Sequence, residues 1–170
     1  MNEPIAAASL QERYAPDSIC FGCGPANGKG LRIRTVPVSE ESDLVVAKWT
    51  SLEHHQAFEG ILNGGIAGAL LDCHSNWAAA WHLKLRDGSE TPPVTVTASF
   101  HVRLKRPTPA LRPLYLEARA VESDGARVRV EATISCDGLV TARCVRSEAA
   151  QFAVDPPQRQ GHHLSRFVHR

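Results

Sequence analysis

The chain has 170 residues, of which 43% are hydrophobic, so it is long enough for one globular domain with a core and leaves little room for a second. Nineteen basic and eighteen acidic residues give a formal net charge of +1, which provides no overall electrostatic argument for nucleic acid or an anionic membrane as a partner. The N-terminus lacks the basic region and apolar run of a signal peptide, and we expect a cytoplasmic protein without a membrane span.

The two ends of the chain show no hydrophobic periodicity. Residues 1–18 are mixed in composition, and residues 156–170 are rich in Pro, His and Arg. Segments of this kind are typical of arms and frayed tails. The sequence therefore predicts an N-terminal arm over 1–18, a single domain over 19–155 and a C-terminal tail over 156–170.

Hydrophobic patterning between these ends predicts two strands, then one helix, then further strands. Six segments have strand character: 31–38, 44–50, 95–104, 114–122, 127–136 and 139–154, the last at least in its first half. Short turn signals separate most of them, and the helix, at about residues 64–82, lies between the second and the third. This order predicts an α+β fold in which a curled antiparallel sheet of five to six strands wraps around one long helix.

The predicted helix has an apolar face and a second face of small residues around one carboxylate, Asp72. We expect the apolar stripe to pack on the sheet; it consists of Ile66, Leu70, Cys73, Trp77 and either Ala80 or Trp81. Small residues on the second face indicate that another group comes close to the backbone there. The alternative is that Asp72 is an ordinary carboxylate facing solvent or a partner.

The helix begins with Asn63-Gly64-Gly65. Glycine costs roughly 1 kcal/mol in a helix interior, but at a helix start it leaves N–H groups open to an anion or a developing oxyanion. Asn63 occupies the position of an N-cap. The alternative is that the two glycines only allow the helix and the sheet to approach each other.

Asn63 and Asp72 are nine positions apart. In a helix this separation is about 13 Å and close to half a turn, so one helix cannot bring its own start against its own Asp72. If the two features act together, two copies of the chain must pair helix against helix. The active-site interpretation therefore predicts a dimer with shared sites.

Three segments carry a resemblance to a known family: CFGCGPANGKGLRI, GILNGGIAGALLD and VTVTASFHVRLKRPTPALRPLYLEARAVE. The chain resembles the hotdog-fold acyl-CoA thioesterases, in particular the PaaI-like branch of the 4-hydroxybenzoyl-CoA thioesterase superfamily, from about Cys20 to Phe152. The resemblance implies sheets joined edge to edge in a homodimer, or a dimer of dimers, with two sites at the dimer interface.

The resemblance also implies roles for individual residues. The Gly64 N–H would polarise the thioester carbonyl, with Gly65 beside it, while Asp72 of the other protomer would act as general base or nucleophile. Thr97 would hold the carboxylate or the lytic water. Asn63 stands where the family usually has a histidine, so no side chain at this position can carry a catalytic proton.

A second departure from the family pattern lies six positions before Asn63, where Ala57 replaces a polar residue. His55 and Gln56 lie beside Ala57, and we expect them to reach the substrate. Arg103, Lys105 and Arg106 form a short basic run at the end of the strand that carries Thr97. This run is either a solvated strand end or a site of attraction for coenzyme A phosphates.

The cysteines are odd in number, which favours reduced thiols over a disulfide framework. Cys20 and Cys23 have the spacing of half a zinc site, to which Cys73 and His74 could add ligands, but no second CxxC occurs. We expect a tight Gly-rich turn, no metal, and no cofactor other than coenzyme A as part of the substrate.

Hydrolysis of an acyl-CoA or acyl-carrier thioester is the function that the sequence favours. A noncatalytic acyl-CoA-binding protein is the first alternative, because Asn63 replaces the histidine. A hydratase or dehydratase is the second, since hotdog folds also host that chemistry. The expected partners are an acyl-CoA and a second copy of the chain, with neither nucleic acid nor membrane.

Overall fold

An antiparallel sheet of six strands packs around one long helix, which confirms the predicted α+β layout. The computed structural model describes the backbone of residues 8–151 and the side chains of residues 8–144. In chain order the elements are α1 (Leu10–Tyr14), β1 (Val36–Pro37), β2 (Val45–Thr50), β3 (Gln56–Phe58), β4 (Ile61–Leu62), α2 (Gly64–Asp87), β5 (Thr95–Leu104), β6 (Pro113–Asp124), β7 (Arg127–Cys136) and β8 (Leu139–Gln151). The order of strands across the sheet is β1-β2-β6-β7-β8-β5, and β3 pairs with β4 in a separate hairpin.

Helix α2 is longer than predicted. The sequence placed its end near residue 82, but it continues to Asp87 because Leu83 extends the buried face. Gly88 ends the helix in the left-handed conformation, at φ 62°, and its N–H bonds to the carbonyls of Lys84 and Leu85. Within residues 8–151, no helix combines the length and the apolar character that a bilayer crossing requires.

The buried face of α2 is rotated from the predicted stripe. The fully or almost fully buried residues include Ala67, Leu70, Leu71, His74, Ala78 and Trp81. Ile66, Cys73 and Trp77, which the stripe included, are only partly buried. The sheet wraps around α2, which packs against β5, β6, β7 and β8. The face of α2 that the sheet covers is wide. It includes small residues, which a prediction based on large apolar residues leaves out.

The first predicted strand, 31–38, is mostly not a strand, and only Val36–Pro37 pairs with β2. Arg32 has a positive φ of 53°, which interrupts extended structure. The N–H groups of Leu31 and Ile33 bond to carbonyls of the Cys20–Gly24 turn instead. This stretch therefore joins the Gly-rich turn rather than the sheet.

The described part of the predicted N-terminal arm contains α1, which packs on the domain. Leu10 is fully buried, and the buried Gln11 side chain bonds to the backbone and hydroxyl of Thr35. Ser9 and Glu12 form a capping box at the start of α1. The predicted tail, 156–170, lies outside the described residues.

Candidate active site at the start and middle of the long helix

Asn63 caps α2 and fixes the geometry of its first turn. Its Oδ1 accepts hydrogen bonds from the N–H groups of Gly65 (2.8 Å) and Ile66 (3.3 Å). The Gly65 N–H, predicted to serve the site, is therefore occupied by the cap. Within the described part of the chain the Gly64 N–H has no hydrogen-bond partner. One free backbone donor thus remains at the positive end of the helix dipole.

Gly64 lies against the end of β5. A Cβ atom at this position would be 2.9 Å from Cδ1 of Leu104, which is closer than packed carbon atoms ordinarily come. The residue is half-buried, while Asn63 and Gly65 are exposed. The free N–H of Gly64 therefore lies in a partly enclosed position at the edge of the domain.

Asp72 is half-buried, and its Oδ1 is buried with no hydrogen-bond partner among the described residues. The Oγ of Ser75 and the Oδ1 of Asn76, three and four residues further along α2, are also buried without a hydrogen-bond partner among the described residues. An unpaired buried polar atom costs about 1–3 kcal/mol, so a group of three needs a functional or structural reason. These buried atoms mark a polar surface of α2 that has no hydrogen-bond partner among the described residues.

Thr97 lies on the strand that faces this polar surface. Two hydrogen bonds join α2 to β5: Asn76 Nδ2 donates to the carbonyl of Thr95 (3.1 Å), and Thr95 Oγ1 donates to the carbonyl of Asn76 (3.3 Å). Leu104, at the other end of β5, lies at Gly64, so the strand runs antiparallel to the helix. Thr97 is two residues beyond Thr95 on the same face, which places it beside the part of α2 that carries Asp72.

His55 supports the start of the helix through its backbone. Its carbonyl accepts the Asn63 N–H (2.9 Å), while its ring stacks on Trp49 with centroids 5.3 Å apart. The ring Nδ1 accepts the Leu52 N–H (2.9 Å). Burial lowers the pKa of His55, and the charge of His54 lowers it further. Both the backbone and the ring of His55 therefore take part in local hydrogen bonding and packing.

Both polar groups of the Gln56 side chain are used locally. Its Oε1 accepts the Gly60 N–H (2.6 Å), and its Nε2 donates to the carbonyl of Glu53 (3.1 Å). These bonds hold the β3–β4 hairpin next to Asn63. The amide is not turned toward the unpartnered atoms of α2.

The predicted basic run lies at the end of β5, where Arg103, Lys105 and Arg106 are exposed. Because Leu104 faces Gly64, the alternation of a strand places Arg103 on the opposite side of β5. Arg103 is also paired directly with Arg143 of β8. The chain therefore does not bring Arg103 to the start of its own helix, whereas Lys105 and Arg106 follow the strand.

His74 is separated from Asp72 and lies in the core. It is fully buried, and its Nδ1 is 3.0 Å from Thr35 Oγ1. Burial lowers its pKa to about 4, so the ring is neutral at neutral pH. Among the described residues, His74 therefore makes no hydrogen bond with Asp72.

Cys73 meets Cys20 and Cys23, as the zinc-site alternative required, whereas His74, its other candidate ligand, does not join them. The three sulfur atoms all lie within 4.8 Å of one another, and those of Cys20 and Cys73 are 3.7 Å apart. A hydrogen bond with Cys73 lowers the pKa of Cys23 to about 6, and the same interaction raises the pKa of Cys73. The sequence assigned Cys73 to the apolar stripe, and the metal alternative lacked a second CxxC to support it.

Strand β5 forms one edge of the sheet and pairs only with β8. Large apolar side chains on and just before it are between 43% and 56% exposed: Val94, Val96, Phe100 and Leu104. An edge strand with an apolar surface is a site for pairing with another chain. This edge adjoins Thr97 and Gly64.

No family model matches the chain, and no curated protein matches it. Solved structures do. A thioesterase superfamily protein from Shewanella loihica PV-4 aligns at TM-score 0.61 and 23% identity over 84% of this chain and 98% of that one. The Escherichia coli PaaI protein from the phenylacetic acid degradation operon aligns at TM-score 0.61 and 16% identity over 75% and 84%.

A third structure, a Streptococcus mutans UA159 protein bound to acetyl CoA, aligns at TM-score 0.58 and 16% identity over 71% of this chain and 88% of that one. At these identities the likeness concerns the course of the backbone. The chain therefore has the hotdog fold of these thioesterase superfamily structures.

Proposed function

We propose that the chain is an acyl-CoA or acyl-carrier thioesterase of the PaaI-like family, active as a homodimer with two shared sites. Structures named as thioesterases share its fold, and one protein with this fold is described as bound to acetyl CoA. The observation that carries the proposal is the unpartnered buried carboxylate oxygen of Asp72, on the same helix as the free N–H of Gly64.

The separation of these two groups requires a second copy. Gly64 and Asp72 are about 12 Å apart along the axis of one helix, too far for both to contact one carbonyl group and one water. Antiparallel pairing of two α2 helices would bring Gly64 of each copy toward Asp72 of the other. Edge-to-edge pairing of two β5 strands would cover the exposed apolar residues. It would also fix the distance between Gly64 of one copy and Asp72 of the other.

Two donors are available for the carbonyl oxygen of the thioester. The Gly64 N–H is the first. Because Asn63 Oδ1 is held by Gly65 and Ile66, its Nδ2 group points away from the helix and has no partner among the described residues. Asn63 would therefore supply a second donor to the developing oxyanion, a role that does not need the titratable proton of a histidine.

Asp72 would act on the other side of the carbonyl carbon. As general base it removes a proton from water while the water oxygen attacks the carbon, and the charge formed on the carbonyl oxygen is stabilised by Gly64 of the other copy. Collapse of the tetrahedral intermediate expels the coenzyme A thiolate, which takes the proton back from Asp72. The hydroxyl of Thr97 would hold the water or the carboxylate. In the nucleophilic route, Asp72 attacks the carbon itself and water then hydrolyses the anhydride.

A noncatalytic acyl-CoA-binding protein is the second candidate. The observation that favours it is the complete use of Asn63 Oδ1 by the helix cap, which leaves this position without a proton acceptor or acid. Arg106 and the other exposed cations at the end of β5 would attract coenzyme A phosphates in either case.

Release of free coenzyme A from a panel of short-chain, medium-chain, long-chain and aryl acyl-CoAs tests the proposal. We expect Asp72→Asn to lower kcat by about 100-fold or more, in the range of general-base contributions. Asp87→Asn makes the same charge change at an exposed position at the end of α2 and should leave turnover intact. Binding of an acyl-CoA without cleavage of any panel member would favour the second candidate, and equal activity of both variants would exclude Asp72 from the chemistry.

A further inference from the structure

We propose that Cys20, Cys23 and Cys73 form a binding site for a thiophilic d10 cation, with Zn²⁺ the expected ion. The sulfur atoms lie within 4.8 Å of one another, and those of Cys20 and Cys73 are 3.7 Å apart. Zinc–sulfur bonds of about 2.3 Å in a tetrahedron set sulfur–sulfur separations of about 3.8 Å. The three thiols are therefore spaced so that one ion can reach them with little rearrangement.

The backbone of the Gly-rich turn is shaped for this convergence. A Cβ on Gly22 would overlap the Sγ of Cys73, so only glycine allows the turn to lie against α2 here. A Cβ on Gly24 would overlap backbone atoms of Ser18 and Cys20, while the Gly24 N–H closes the turn on the carbonyl of Cys20 (2.9 Å). The two glycines hold the cysteines of the turn against a helix residue 53 positions away from Cys20.

A hydrogen-bond donor supports the cluster from outside. Trp77, one turn of α2 beyond Cys73, donates its Nε1–H to the Sγ of Cys23 (3.4 Å). Donors of this kind stabilise thiolate ligands and fix their orientation. Soft thiolates select zinc and Cu⁺ over the hard cations Mg²⁺ and Ca²⁺.

The site leaves one coordination position open. In the described part of the chain, no further His, Cys, Asp or Glu side chain belongs to the cluster. Cys23 is buried, Cys73 is half-buried and Cys20 is exposed, so the cluster opens to solvent on the Cys20 side. Water would complete a zinc tetrahedron there. The ion would connect the turn to α2 and thus tighten the attachment of the 18–35 segment to the core.

The site is independent of the proposed thioesterase activity. Cys73 follows Asp72 directly, so their side chains point about 100° apart around the helix. Hydrolysis is therefore not needed as a readout, and the outcome below does not depend on whether a thioester is cleaved.

Titration of the full-length chain with Co²⁺, after removal of metal under reducing conditions, tests the proposal. We expect one equivalent of Co²⁺ per chain to produce a sulfur-to-cobalt charge-transfer band, and Zn²⁺ to displace it and raise the unfolding temperature. Cys20→Ser, Cys23→Ser and Cys73→Ser should each weaken binding by about tenfold or more, whereas Cys136→Ser, at a buried thiol outside the cluster, should not.

The wild-type titration decides the proposal even where a serine variant fails to fold. Absence of the charge-transfer band at stoichiometric Co²⁺, together with no uptake of Cu⁺, would overturn it. An unchanged band in Cys73→Ser would do the same. Uptake of Cu⁺ in preference to Zn²⁺ would support the thiolate site and assign it three-coordinate geometry.

Discussion

The methyl group of Leu104 occupies the space next to Gly64 that a side chain there would need, at 2.9 Å from the position of a Cβ. This contact ties the last residue of β5 to the first residue of α2. The free N–H of Gly64 and the apolar edge of the sheet therefore lie at the same place. Substitutions can separate the role of the N–H in catalysis from the role of the apolar edge in assembly.

Replacement of Gly64 distinguishes the N–H from the space around it. Gly64 is the first residue of α2, a position that tolerates proline because its N–H has no intrahelical acceptor. Gly64→Pro should lower kcat by about 100-fold or more through loss of the oxyanion donor. Gly64→Ala adds a Cβ at the same place but keeps the N–H, and Leu104 can rotate to admit it. Equal kcat values for the two variants, measured by coenzyme A release, would contradict this role.

Mixing inactive variants tests whether the sites are shared. In a heterodimer of Gly64→Pro and Asp72→Asn chains, one site combines an intact Gly64 with an intact Asp72, and the other site contains both changes. Random assortment of equal amounts should restore about a quarter of the wild-type activity. The measurement is coenzyme A release after the two proteins are unfolded together and refolded. Activity no higher than the sum of the separate variants would show that each site lies within one chain.

Charge on the apolar edge should prevent association. Phe100→Glu places a carboxylate on β5, where Phe100 is 48% exposed. If β5 is buried between two copies, the unpaired charge should shift the protein to monomer in analytical ultracentrifugation. Val121→Glu is the matched control, since Val121 is 41% exposed but lies on β6, away from the edge. A dimer that persists in Phe100→Glu but dissociates in Val121→Glu would place the interface elsewhere.

Stability should fall in mild acid because His74 is buried in its neutral form. Its pKa in the folded chain is about 4, whereas its ordinary value is 6.5. The unfolded chain therefore binds a proton more readily between these values, and stability is lost as the pH falls from about 6.5 toward 4. The loss from this residue has an upper limit of about 3 kcal/mol. Urea denaturation across this range is the measurement.

His74→Gln should reduce the pH dependence of the unfolding free energy, whatever it does to stability at pH 7. If the wild type and His74→Gln lost stability in parallel between pH 6.5 and 4, another group would be responsible.

Leu10 should stabilise the domain although it lies in a segment that the sequence assigns to an arm. Its side chain is fully buried in the core. Leu10→Ala should lower the free energy of unfolding by about 2–5 kcal/mol, as expected for removal of a buried leucine side chain. Ile19→Ala is the control, because Ile19 is 78% exposed. A difference of less than about 0.5 kcal/mol between the two variants would mean that α1 does not stay packed in solution.

The strands after residue 94 and the start of α2 are encoded locally. Alternating residues and short turns such as Asp137-Gly138 specify β5 to β8 within a few residues of chain, and Asn63 followed by two glycines marks the first turn of the helix. Periodicity and capping depend on neighbours in sequence, so these elements could be predicted. The position of Asp72 relative to Asn63 follows from helix geometry alone, and the proposal of two shared sites rests on it.

Other features depend on contacts between distant segments. Residues 31–35 alternate like a strand, yet the N–H groups of Leu31 and Ile33 bond to the Cys20–Gly24 turn, and that of Thr35 bonds to the Gln11 side chain. Small residues belong to the buried face of α2 only because the sheet curls around the helix. The meeting of Cys73 with Cys20, and the burial of Asp72 Oδ1 without a partner, were likewise decided by tertiary packing. No local pattern encodes them, because the groups involved come together only when separate parts of the chain pack against one another.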